Sequence, residues 1–194
     1  MNTFKELKNL PSVKAQINFT LSYNNMQSFK DAFVSIKEAY PDIRLDDINV
    51  TLFQKSSFYF ENENLMEIDK HLMSEEITRI LRMDCERLSL NNFLRKTYLR
   101  LYLRYIKNKR YPLKCQALAS TCFLDPYGNI FPCSVYNRKL LNVREMNNNF
   151  DYLWNTKDAK RLYYECATYL CPVCWSPCDA YSAIVGSLVK ALFL

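Results

Sequence analysis

Residues 15–23, Ala-Gln-Ile-Asn-Phe-Thr-Leu-Ser-Tyr, alternate apolar and polar side chains. A period of two places one set on each face of an extended segment, so a strand is predicted. Asn24 with Gln27 three residues on reads as a helix-start box. Phe29, Phe33, Ile36 and Tyr40 then recur at helical spacing on one face, and Pro41 stops the helix. Residues 47–54, Asp-Ile-Asn-Val-Thr-Leu-Phe-Gln, alternate again. Strand, helix and strand make one βαβ unit, expected to be parallel and right-handed. Such a unit leaves long unpaired edges if it stands alone.

Residues 62–110 follow a helical period. Ser74 is the predicted cap of a helix over Glu75–Leu88. Asn91-Asn92 is the predicted break, and a second helix runs to about Lys109, with Pro112 as the boundary. The stretch 93–110 carries Arg95, Lys96, Arg100, Arg104, Lys107, Lys109 and Arg110 and no acidic residue. Residues 61–76 carry Glu61, Glu63, Glu67, Asp69, Glu75 and Glu76. The basic stretch is interleaved with Tyr98, Tyr102 and Tyr105, a texture that suits a nucleic-acid surface. It also suits an amphipathic helix with Leu94, Tyr98, Leu101, Tyr102 and Tyr105 inward and cations in water. The second reading is preferred, because charged runs are most often solvated faces. Beyond residue 113, cysteines, turn residues and aromatics take over. A helix over 151–170 carrying Leu153, Trp154, Leu162 and Tyr163, and an apolar terminal helix over 179–194, complete the prediction.

Composition narrows the class. The 194 residues suit one ordinary domain or two small ones, and 49% hydrophobic content is enough for a core. No apolar run reaches the roughly 18 residues of a membrane span. The charged start, Met1-Asn2-Thr3-Phe4-Lys5-Glu6, has no apolar signal region, so a cytoplasmic location is expected. The chain has eight cysteines, and their close spacing in a chain without a signal region favours metal over disulfides.

The cysteine pattern carries the most chemistry. Cys115-x12-Gly128-x4-Cys133 is followed by Cys171-x2-Cys174-x3-Cys178. Thiolates are soft ligands that take zinc or iron–sulfur clusters in four-coordinate arrangements. Gly128 is one of only two glycines and sits in Asp125-Pro126-Tyr127-Gly128-Asn129. That segment reads as a tight turn with glycine in the left-handed region. The resulting hairpin would swing Cys133 toward Cys115. Cys115, Cys133, Cys171, Cys174 and Cys178 are therefore the candidate ligands. Cys122 is weaker, because strand alternation directs it toward the core. Cys85 and Cys166 fall on helical stretches and read as small core hydrophobes. His71, the only histidine, has no cysteine at ligand spacing and reads as an exposed helix residue.

Cys115 to Cys178 resembles the auxiliary-cluster domain of radical S-adenosylmethionine (SAM) enzymes, the SPASM or Twitch domain. The resemblance rests on Cys-x12-Gly-x4-Cys and on Phe123-Leu124-Asp125-Pro126-Tyr127-Gly128-Asn129-Ile130-Phe131-Pro132-Cys133. It extends through Leu141-Asn142-Val143, Leu153-Trp154-Asn155 and Cys171-Pro172-Val173-Cys174-Trp175-Ser176-Pro177-Cys178, and spans about a third of the chain. A full SPASM domain closes with Cys-x2-Cys-x5-Cys-x3-Cys and holds two clusters. The run is shortened here to Cys-x2-Cys-x3-Cys, so one cluster is implied, as in the Twitch version. Leu141 stands where the family usually has a glycine.

The resemblance implies an α+β or α/β chain. Residues 1–60 would be the C-terminal portion of a partial (β/α)6 barrel, 61–112 a helical linker and 113–194 the SPASM/Twitch-like domain. The family's SAM-cleaving signature, Cys-x3-Cys-x2-Cys, is absent, since the first cysteine is Cys85. The implied function is [4Fe–4S] cluster binding, with SAM relevant only together with an upstream segment or separate chain that carries that signature. No SAM cleavage by this chain alone is expected. Ser22, Asn24, Asn25 and Gln54 lie at strand ends, where barrel loops meet substrate, but read first as caps or turns. The rival reading is a structural four-cysteine zinc module, with the 93–110 helix as its nucleic-acid surface. The substrate is not legible, and no membrane partner is expected.

Overall fold

A computed structural model of the chain describes residues 2–57, 61–62, 64, 66–83, 89–108, 111–146 and 149–187. It is mixed α+β and divides into two compact units. One comprises Met1–Phe53 with Met66–Arg110, the other Gln54–Leu65 with Tyr111–Leu194. Among the described residues the strands form one two-stranded and one three-stranded sheet, not a barrel.

The first unit holds α1 (Asn2–Lys8), β1 (Ile17–Leu21), α2 (Phe29–Ala39), β2 (Ile48–Leu52), α3 (Lys70–Arg82) and α4 (Leu90–Asn108). β1 and β2 pair in parallel, from Ile17 opposite Ile48 to Leu21 opposite Leu52. This is the strand–helix–strand unit that the alternation predicts. Its buried face carries Leu21, Ile48, Val50 and Leu52. Residues 70–108, assigned to a linker by the sequence, belong to this unit. Met73, Ile77 and Ile80 of α3 and Tyr98, Leu99 and Leu101 of α4 are buried.

Three helix starts differ from expectation. The Asn25 side chain accepts from Ser22 N at 2.7 Å and donates to Thr20 O at 2.9 Å. That local bonding closes a turn and competes with helix, so α2 begins only at Phe29. Its first N–H is satisfied from afar, by a 3.0 Å bond from Phe29 N to Glu76 Oε1. Asp69, not Ser74, caps α3, accepting from His71 N and Leu72 N. The Ser74 hydroxyl instead donates to Lys70 O within the helix. Asn91 and Asn92 do not break a helix; they lie in the first turn of α4, where Asn92 N donates to Ser89 Oγ.

The basic helix is amphipathic as preferred, with Arg100, Arg104 and Lys107 exposed. Arg95 is the exception. It is buried and donates to Leu45 O at 2.7 Å and Ile48 O at 3.1 Å, holding the entry to β2.

The second unit holds β3 (Phe123–Leu124), β4 (Asn129–Phe131), β5 (Leu141–Asn142), α5 (Phe150–Asn155), α6 (Lys157–Ala167) and α7 (Pro177–Gly186). The sheet is antiparallel in the order β3-β4-β5. The single helix predicted over 151–170 is two. Thr156 ends α5, and its hydroxyl oxygen accepts from Ala159 N to start α6. α7 starts at Ser176 with Pro177 in its first turn, where the missing N–H costs nothing. The end of the predicted terminal helix, 188–194, lies outside the described residues. Two small cores form. Ile130, Met146 and Leu153 make one, and Ala117, Cys133, Val135 and Cys166 the other. No helix among the described residues is long and apolar enough to cross a membrane.

Candidate metal centre

The hairpin turn is built as its residues dictate. Asp125 accepts from Tyr127 N, Asn129 N and Asn129 Nδ2 at 2.8–2.9 Å. Gly128 has φ +85°, and a Cβ there would meet Val143 Cγ2 at 3.0 Å and Asn142 Oδ1 at 3.2 Å. Only glycine combines this backbone with this approach. Leu141, at the family's glycine position, pairs with Ile130 in β5. Val143 N donates to Gly128 O, tying the next segment onto the turn. β4 then leads, through Pro132, to Cys133 in the second core.

Five cysteines meet there. Cys133 and Cys166 are buried, and Cys115, Cys171 and Cys174 pack against them. Four of these are sequence candidates. Cys166, read as a plain core residue, is the addition. It lies in the last turn of α6, and the chain then turns at Tyr169, with φ +65°, to bring Cys171 back beside it. Cys178 is exposed on the first turn of α7, although burial of the thiol and the nearby Asp179 carboxylate push its pKa up. Cys122 packs on the other core, with Ile130, Met146 and Leu153. Cys85 lies outside the described residues. His71 is exposed, 3.8 Å from Glu75. Of the strand-end residues, Gln54 belongs to this unit and its Oε1 accepts from Trp175 N at 3.1 Å.

An open, apolar cavity borders the cluster. Cys115, Cys166, Cys171, Cys174 and Asp179 line it, with Tyr111, Tyr169 and Trp175 among the other residues of its wall. Tyr111 stacks on Tyr169 with ring centroids 4.6 Å apart, and Tyr169 Oη donates to Leu113 O. No lysine, arginine or histidine among the described residues lines it.

The thiols hydrogen-bond in two pairs. Cys133 pairs with Cys174 and Cys166 with Cys171, and the hydrogen bond within each pair holds Cys133 and Cys171 below the usual thiol pKa and their partners above it. Cys115 is pushed up to about 12, chiefly by burial. Among the described residues all seven cysteines are free. Soft donors drawn from three separate segments into an apolar cavity fit what a thiolate-bound metal needs. Binding would displace the shared protons.

Asp179 is the other group that sequence reading passed over. One of its carboxylate oxygens and the sulfurs of Cys133 and Cys174 all lie within 4.8 Å of one another.

No family model matches this chain. No curated protein and no solved structure matches it either.

Proposed function

We propose that the second unit binds a [4Fe–4S] cluster through cysteines drawn from Cys115, Cys133, Cys166, Cys171 and Cys174, as the auxiliary domain of a radical SAM protein. The observation that carries the reading is the convergence of five cysteines in one cluster, four of them lining an apolar cavity. Cys178 is the weakest of the original candidates, because its thiol is exposed while Cys166 is buried within the group. The parallel β1–β2 pair supports reading the first unit as the end of a partial barrel. The protein would then act with a segment or partner chain carrying the SAM-cleaving cysteines. The cluster's role would be to hold substrate or pass an electron, with its potential tuned by burial and by hydrogen bonds to sulfur.

A structural zinc site is the second reading, and one observation favours it. Donors on one tetrahedral ion with bonds of about 2.3 Å lie roughly 3.8 Å apart. The 4.8 Å limit on Cys133, Cys174 and Asp179 sits close to that spacing. The nucleic-acid version of this reading is weakened, because Arg95 is committed to backbone carbonyls.

Anaerobic reconstitution of the full chain with ferrous iron and sulfide tests the choice. A brown protein holding acid-labile sulfide supports the cluster. A colourless protein that takes up zinc and no sulfide replaces it with the second reading. Incubation of the loaded chain alone with SAM and dithionite should yield no 5′-deoxyadenosine above a cluster-free control.

A further inference from the structure

Asp179 is an unusual neighbour for a thiol cluster. It is 8% exposed, and it lines the cavity beside Cys115, Cys166, Cys171 and Cys174. One of its carboxylate oxygens lies within 4.8 Å of the sulfurs of Cys133 and Cys174. Ser176 Oγ donates to its Oδ2 at 2.8 Å and fixes its orientation. Ser176-Pro177-Cys178-Asp179 has the spacing of a capping box, which gives the carboxylate an ordinary helix-start role. That role does not require sulfur on its other side. A buried carboxylate facing thiols, with no cationic side chain among the described residues of the cavity wall, is poorly balanced. A bound cation supplies the missing charge.

We propose that Asp179 is a metal ligand, giving an oxygen donor to the same ion that Cys133 and Cys174 hold. The inference rests on the second reading, a single four-coordinate ion, since each iron of a [4Fe–4S] cluster takes one protein ligand. It assigns the corner Cys133–Cys174–Asp179 to a borderline divalent cation, zinc or iron(II), since two sulfurs and one oxygen suit neither a hard calcium site nor a purely soft one. One thiol from Cys115, Cys166 or Cys171 would supply the fourth donor of a tetrahedral site. A carboxylate at one corner makes that corner the most exchangeable, because oxygen holds these metals less firmly than thiolate does.

Cobalt(II), added anaerobically to the full metal-free chain, is the probe, because its thiolate charge-transfer absorption counts coordinated sulfurs. The wild type should bind it with such absorption. Asp179→Asn keeps an acceptor for Ser176 but is a poor ligand, and should weaken cobalt binding at least about tenfold. Asp179→Cys should restore binding and add the absorbance of one further thiolate, which a residue with only a capping role would not produce. Ser176→Ala, which removes the cap alone, should leave the sulfur count unchanged. Wild-type affinity and spectrum in Asp179→Asn, or no added absorbance in Asp179→Cys, would overturn the assignment while leaving the thiol centre intact. If Asp179→Asn fails to fold, the Asp179→Cys spectrum decides. A wild-type chain that binds neither cobalt nor iron would remove the metal centre itself, and this ligand with it.

Discussion

The two units solve the problem of stability in different ways. The first buries Leu21, Val50, Met73, Ile77, Tyr98, Leu99 and Leu101 almost completely and runs helices of up to nineteen residues across them. Long-range bonds from buried polar groups tie it together: Glu76 accepts from Phe29 N, and Arg95 donates to Leu45 O and Ile48 O. The second unit has strands of only two or three residues, and among its described residues the buried clusters are small, one of them made largely of cysteine. Small cores of this kind rarely stand without disulfides or metal, and the described cysteines form no disulfide. The contrast teaches where a metal would matter: the first unit is packed on aliphatic side chains, whereas under the proposed function the second would lean on its ligands.

The sharpest way to break this comparison is to remove the metal. Structural metals supply on the order of 10 kcal/mol to small modules. Chelation of the loaded protein should therefore abolish slow hydrogen exchange in residues 111–187 and leave the slow amides of β1, β2, α3 and α4 in place. Equal protection in both states would show that the second unit folds on its own. The reciprocal cut is Leu21→Ala, at a position with 0% exposure. It should cost about 2–5 kcal/mol in denaturant melts that follow the first unit, with metal content per chain unchanged.

Gly128→Val is a milder blow to the second unit. Positive φ and the 3.0 Å approach to Val143 Cγ2 penalise any Cβ, at about 1–3 kcal/mol for the backbone conformation. Metal content after reconstitution should fall below wild type. Full loading would show that the turn does not position Cys133. The smallest effect is expected from Cys122→Ala, since Cys122 packs on Ile130, Met146 and Leu153 and away from the other thiols. A cost near 1 kcal/mol is expected from losing a small, half-buried side chain, with full metal loading; lost metal would place Cys122 in the centre.

What the chain revealed in advance follows a physical line. The βαβ unit was legible because its periods of two and of 3.6 are set by which face is buried. The turn at Asp125–Asn129 was legible because its geometry admits almost no residue but glycine at 128. Helix starts were not, because polar residues stand in series. Asn24 and Asn25, or Asp69 and Ser74, can each offer an oxygen, and local sequence does not rank them. Glu76 capping Phe29, forty-seven positions away, is a tertiary fact. The same holds for the centre. Cys115, Cys133, Cys171 and Cys174 announced themselves by spacing, whereas Cys166 enters only because the turn at Tyr169 folds the end of α6 back on Cys171. Asp179 was hidden inside an ordinary capping pattern.

The most direct measurement is the metal and sulfide content of the anaerobically reconstituted full chain, compared with a Cys133→Ser, Cys174→Ser double variant. A cluster of the proposed type gives about four irons and four sulfides per wild-type chain, and little of either in the variant. Wild-type protein that holds neither iron nor zinc, or a variant that holds as much as the wild type, would contradict the assignment of this cysteine cavity as a metal centre.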